Sequence, residues 1–249
     1  KKHDTKIMFV IQDALHVKYG FDIKISPECP SGEPTCFQSF ADFKSTWANI
    51  STAVMKEMVQ KNYPVKYFEV FGEPINAGFG KTNSGTGITG ITPEQLMELY
   101  KTSHNIIREA MPSAKIGGPG WISYSEELLS VFLDYIVKEK LSLDFLSWHE
   151  FGAPENIVSH VAEARNLINT RPELCTVKCP EIHITEFSPS EQMHIPATGL
   201  AWFYYFEKAG VNWASRACWD VEDPNVKWDT CWWGFNGMFL RDNVTTTDM

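Results

Sequence analysis

Two hydrophobic spacings alternate along the chain. Short, nearly continuous apolar runs occur at 6–12 (KIMFVIQ), 65–74 (VKYFEVFGEP), 114–118 (AKIGG), 143–151 (LDFLSWHEF), 181–187 (EIHITEF) and 212–220 (NWASRACWD). These runs predict strands. Between them, apolar residues recur every three or four positions, the spacing of a helix with one buried face. In the stretch at roughly 40–62, Phe43, Trp47, Ile50, Val54 and Met58 share such a face. Thr92-Pro93-Glu94-Gln95 reads as a helix start, with Thr as cap, Pro in the first turn and Gln three positions on, and that helix runs to about Met111. Further helices are expected from Ser125, near 155–169 and at about 196–209, while Pro, Gly and Cys mark 26–36 and 76–90 as loops.

Six strands alternating with five helices imply βα units around a parallel sheet. A doubly wound open sheet and a (β/α)8 barrel both fit. The barrel is preferred because unusual residues sit where successive strands end: Glu73, Gly117–Gly118, His149, Glu186 and Trp219–Asp220. Barrel active sites are built at that end. Six strands are two short of eight, so residues 1–249 are read as one barrel domain of strands three to eight, lacking its first two βα units.

Composition narrows the partners. The 249 residues carry 22 Lys plus Arg against 31 Asp plus Glu, a net charge of −9. That balance argues against nucleic acid or an anionic membrane as main partner. No apolar run approaches the ~20 residues of a membrane span; the longest candidate, LLSVFLDYIV, is cut by Asp134. With 13% aromatic residues the chain must bury a core. Its six cysteines form three sequence neighbours: Cys29 with Cys36, Cys175 with Cys179, and Cys218 with Cys231. Their spacing is not that of a zinc site, so disulfides are expected, although six cysteines allow about 15 pairings. Sequons at Asn49 and Asn243 agree with a secreted, extracellular or lysosomal glycoprotein. The chain opens on KKHDTK, and this reading places any signal peptide outside the numbering.

Two strands end in glutamate, Glu73 and Glu186. On a barrel those ends face each other across the mouth. A retaining glycosidase needs such a pair about 5–5.5 Å apart, an inverting one about 6.5–9.5 Å apart. Neither chemistry requires a metal or an organic cofactor.

YFEVFGEPIN resembles the EVWNEPN strand of clan A glycoside hydrolases, and IHITEFSPS resembles their ITEW strand. Taken in order with KIGGPG, LDFLSWHEFG and SRACWDVEDP…WWGFNGMFL, these segments resemble glycoside hydrolase family 39, which holds β-xylosidases and α-L-iduronidases. The resemblance runs from about Lys6 to Leu240. It implies that Glu73 is the acid/base, Glu186 the nucleophile and a carbohydrate the substrate. Three positions depart from the family pattern. Gly72 stands where an Asn usually bonds the sugar 2-hydroxyl, Phe71 replaces a Trp, and Phe151 stands where many relatives have Tyr.

Around the pair, His149 is expected to orient Glu186 or a sugar hydroxyl. Trp219 and Trp121 are candidate sugar platforms, since a Trp offers a broad rigid apolar face; Trp232 and Trp233 are weaker ones. Asn76 and Asn83 could line the cleft. Glu69 shares strand parity with Glu73 and is expected as a buried hydrogen-bond partner. His183 has the opposite parity to Glu186 and is expected to face away from the barrel centre in a structural role. Glu222, Asp223 and Asp229 read as solvated loop charges; a calcium site is the alternative there, though the spacing is not that of an EF-hand. An esterase is unsupported, since no GxSxG elbow occurs. The competing reading is a catalytically silent, glycosidase-like glycoprotein that binds carbohydrate or forms an oligomer or extracellular assembly. Gly72, Phe151, the cysteines and the sequons fit it too.

Overall fold

The computed structural model describes residues 6–11, 23–33, 35–74, 88–89, 91–187, 196–216, 239–240 and 245–246. In chain order these form β1 (Ile7–Val10), β2 (Ile23–Ile25), β3 (Cys36–Phe37), α1 (Phe40–Gln60), β4 (Val65–Glu69), β5 (Ile88–Thr89) and α2 (Pro93–Ala110). There follow β6 (Lys115–Trp121), α3 (Glu126–Lys138), β7 (Phe145–Glu150), α4 (Asn156–Asn169), a 3-10 turn (Pro172–Cys175) and β8 (Glu181–Phe187). The series ends with α5 (Pro196–Ala209), β9 (Trp213–Ala214), β10 (Phe239–Leu240) and β11 (Thr245–Thr246).

Six strands make one sheet in the order β1-β4-β6-β7-β8-β9. Every neighbouring pair in it is parallel. With the intervening helices this is (β/α)8-barrel architecture carrying six of its strands among the described residues. The described part of the last strand is Trp213–Ala214; the rest of the expected 212–220 run lies outside the described residues. The loop expected at 26–36 lies among β2 and β3, which join β5 in a small parallel sheet that periodicity did not announce.

The helix starts follow the local chemistry. Ser39 caps α1 by accepting from the Asp42 N–H. Thr92 and Gln95 form a reciprocal capping box at α2, and Ser125 caps α3 through the Leu128 N–H. Between helices and sheet, Phe68, Ile116, Leu146, Trp148, Ile182 and Ile184 are fully buried with Phe132, Leu133 and Trp47. Cys29–Cys36 and Cys175–Cys179 are disulfides with S–S distances of 2.01 and 2.07 Å. Cys218 and Cys231 lie outside the described residues. Among the described residues no helix is long and apolar enough to cross a membrane.

The other face of the sheet is the barrel interior. Tyr67 of β4 meets Phe145 of β7, His183 of β8 and Trp213 of β9 at ring distances of 5.2–6.1 Å. Since β4 and β8 are separated by two strands, such contacts can only be made across the interior. His183 therefore faces the barrel centre, which corrects the expectation from parity. Thr185 is an extra residue on β8: Trp148 pairs with Ile184, but His149 pairs with Glu186. A bulge of this kind shifts the alternation by one, so His183 and Glu186 share a face despite their odd separation.

His183 lies stacked on Phe145, 4.3 Å away and 12° from parallel, and is fully buried. Burial holds its pKa down to about 4, against the raising influence of Glu181, whose Oε2 is 3.1 Å from Nε2. Glu181 also takes Lys115 and Lys178 at 2.7 and 2.9 Å, and despite its own partial burial its pKa falls to about 2.

Two outcomes follow from this packing. A Cβ at Gly117 would stand 2.2 Å from the Phe145 carbonyl oxygen and 2.5 Å from its ring, both across the β6–β7 ladder. Gly117→Ala is expected to cost about 2–3 kcal/mol or more, read as a lower urea midpoint. For His183 the unfolded chain takes up a proton near pH 6.5, whereas the folded chain does so only near pH 4. Its contribution is harmless above that window, and stability is lost as pH falls through it. His183→Phe keeps the stack and removes the proton uptake. Relative to wild type, the variant should gain on the order of 2 kcal/mol as pH falls through this window, seen by thermal melts across pH.

Candidate active site

The ladder of β4 ends at Glu69, and the chain runs on through fully buried Val70 and Phe71 to Gly72 and Glu73. Glu73 sits in the left-handed region at φ +49°, and its N–H donates to the Gly120 carbonyl at 2.8 Å. Few non-glycine residues adopt that conformation, and Pro74 restrains the chain beyond it. The carboxyl is thereby aimed at β7. There the His149 Nδ1 lies 3.0 Å from Glu73 Oε1 and 3.9 Å from Glu186 Oε2. One oxygen of Glu73, one of Glu186 and a ring nitrogen of His149 all stand within 4.8 Å of one another. Donor atoms of this kind could also share a cation.

Exposure differs in a useful way. The His149 side chain is 3% exposed, while those of Glu73 and Glu186 are 27% and 43% exposed. A buried imidazole thus supports two carboxylates that open to the mouth. Burial works against charge on His149. The hydrogen bond to Glu73 and the charges of Glu186, Glu69 and Glu73 outweigh it and raise the pKa above its ordinary value. Phe151 stands edge-on to the His149 ring at 5.7 Å. The neighbouring Glu150 faces the helix layer instead, where it accepts from Trp148 Nε1 at 2.6 Å and meets His160 at 2.7 Å.

Below the trio lies Glu69, 2% exposed. Its Oε1 accepts from Ser147 Oγ at 2.5 Å and from Thr185 Oγ1 at 3.0 Å. Burial raises its pKa to about 7, against the lowering effects of Ser147, His149 and Thr185. Sequence reasoning anticipated Glu69 but missed its partners. Ser147 was legible, since it stands two positions before His149 on the same strand face. Thr185 was not, because neighbouring strand residues ordinarily face opposite sides, and only the bulge lets Thr185 and Glu186 both face inward.

Trp121 differs from the platform expected. It is 3% exposed and belongs to the apolar core. Gly120 is an extra residue on β6, so Pro119 pairs with Ser147 but Trp121 pairs with Trp148, a residue of the helix-facing side. The second bulge therefore turns Trp121 outward. Asn49 is exposed on α1, with Ser51 of its sequon buried. Asn76, Trp219 and Asn243 lie outside the described residues, as do Asn83, Trp232, Trp233, Glu222, Asp223 and Asp229.

Three comparisons bear on this geometry. The family model for glycosyl hydrolases family 39 matches residues 5–192. A β-xylosidase of Geobacillus stearothermophilus is 22% identical, over 63% of this chain and 34% of its own length. Among solved structures, a family 39 β-xylosidase from Caulobacter crescentus superposes with a TM-score of 0.55 at 20% identity, covering 79% of this chain and 43% of that one. A glucosidase from Croceicoccus marinus gives a TM-score of 0.56 at 21% identity, covering 72% and 38%. At such identities the superpositions speak for the fold. The chain spans about a third of the length of the curated β-xylosidase.

Proposed function

The chain belongs to glycoside hydrolase family 39, and on that premise we propose that it is a retaining glycosidase that uses Glu73 and Glu186 on a xyloside- or uronide-type substrate. The observation that carries this reading is the closeness of the two carboxyls, with oxygens within 4.8 Å. A retaining pair stands about 5–5.5 Å apart, and an inverting pair needs about 6.5 Å or more to admit a water.

The steps follow from the placement. A Glu186 oxygen attacks the anomeric carbon while Glu73 gives its proton to the departing glycosidic oxygen. The carbon–oxygen bond breaks and a glycosyl ester forms on Glu186. Water then attacks the same carbon, Glu73 takes its proton, and the ester bond returns its electrons to Glu186. His149 serves both stages by holding the Glu73 carboxyl beside Glu186. The disulfides, rare in reducing compartments, and the exposed Asn49 support an extracellular or lysosomal setting.

Two measurements test the reading. Across a panel of aryl glycosides including xylosides and iduronides, Glu186→Gln should reduce hydrolysis to background. Glu73→Ala should lower kcat about 10²–10⁴-fold, most for poor leaving groups. Turnover by Glu186→Gln equal to wild type would overturn the assignment. The second measurement concerns Gly72. Among the described residues, a Cβ there would meet only the Val10 Cγ1 methyl, at 3.3 Å, a side-chain atom able to yield. Contacts to the sugar 2-hydroxyl supply several kcal/mol, so Gly72→Asn is expected to raise kcat/KM about tenfold on substrates carrying that hydroxyl. It should do nothing for 2-deoxy analogues.

A further inference from the structure

The strand carrying His149 is flanked by a bulge on each side. Gly120 is the extra residue of β6, and Thr185 is the extra residue of β8. Bulges re-aim the side chains that follow them. Without the Thr185 insertion, Thr185 would pair with His149 and Glu186 would pair with Glu150, on the face turned to the helices. Glu73 depends on the other bulge, because its N–H is held by the Gly120 carbonyl at 2.8 Å.

Both bulges end on one buried group. The Gly120 N–H donates to Ser147 Oγ at 3.1 Å, and Ser147 Oγ donates to Glu69 Oε1 at 2.5 Å. Thr185 Oγ1 donates to the same oxygen at 3.0 Å. Space is matched as well. Gly120 lies at φ +61°, where a Cβ would stand 2.7 Å from the Phe71 carbonyl oxygen and 3.0 Å from Glu69 Oε1. Glu69 is thus the common acceptor of β7 and β8 and, through Ser147, of β6.

We propose that Glu69 is a positioning residue that sets the separation of the Glu73 and Glu186 carboxyls by holding both bulges through Ser147 and Thr185. The proposal rests on the glycosidase reading for its consequence in rate, and on geometry alone for its consequence in structure. A buried acid is costly to keep, and burial pushes its pKa up to about 7 even against the hydrogen bonds it accepts. An apolar residue would fill the same space without the penalty, but it would release both hydroxyls. What both hydroxyls need is an acceptor oxygen, and an amide supplies one as well as a carboxylate.

The test compares Glu69→Gln with Glu69→Leu. Glu69→Gln keeps the acceptor, so kcat should stay within about threefold of wild type on the aryl glycoside turned over fastest. Glu69→Leu removes it and should lower kcat on the order of 10²-fold with KM little changed, because about 1 Å of misplacement costs that much. Crystal structures supply the readout independent of activity: in Glu69→Leu the nearest Glu73 and Glu186 oxygens should separate beyond 4.8 Å, and in Glu69→Gln they should not. Should Glu69→Leu fail to fold, Thr185→Val removes one of the two donors at constant shape and should move the separation and kcat in the same direction. Equal losses in the Gln and Leu variants would overturn the proposal, as would an unchanged separation in folded Glu69→Leu. If wild type hydrolyses no glycoside, the glycosidase reading fails, while the carboxyl separations still decide the role of Glu69.

Discussion

One buried carboxyl, that of Glu69, governs how this barrel presents its mouth. Taking an acid out of water is unfavourable, and the hydroxyls of Ser147 and Thr185 offset part of that cost by donating to a single oxygen. The partners lie 78 and 116 residues away in the chain, so the network forms only when β4, β7 and β8 are assembled. Once formed, it stabilises two irregularities that an ideal parallel sheet would lack. The positions of Glu73, Glu186 and Trp121 all follow from those irregularities.

The electrostatics above that network are arranged by depth. Glu69 and His149 are almost wholly buried, and Glu73 and Glu186 open outward. An imidazole raised toward its charged form stands beside both carboxyls, bonded to Glu73 at 3.0 Å and 3.9 Å from Glu186. The three groups hold their facing atoms within 4.8 Å of one another. The left-handed backbone at Glu73 is a local strain of the kind found at functional sites, and here the Gly120 carbonyl and Pro74 maintain it.

The opposite end of the interior carries a different arrangement. His183 is kept neutral between Phe145 and Trp213, while Glu181 is kept charged by Lys115 and Lys178. The interior is therefore ring-stacked and ion-paired at the strand starts and hydrogen-bonded around Glu69 toward the strand ends. That gradient suits a barrel whose chemistry is confined to one mouth.

The chain by itself determined the helices and the six strands of the main sheet, because apolar spacing reports which face each element buries and Ser39, Thr92 and Ser125 act within their own turn. It also marked Glu73, His149 and Glu186 as strand-end residues and placed Cys29 near Cys36 and Cys175 near Cys179. Only the tertiary structure decided which way residues beyond the bulges point. Parity misplaced His183, and strand-end position misread Trp121, because one inserted residue reverses every later assignment on a strand. Whether an insertion occurs depends on an acceptor many residues away, and no local pattern records that contact.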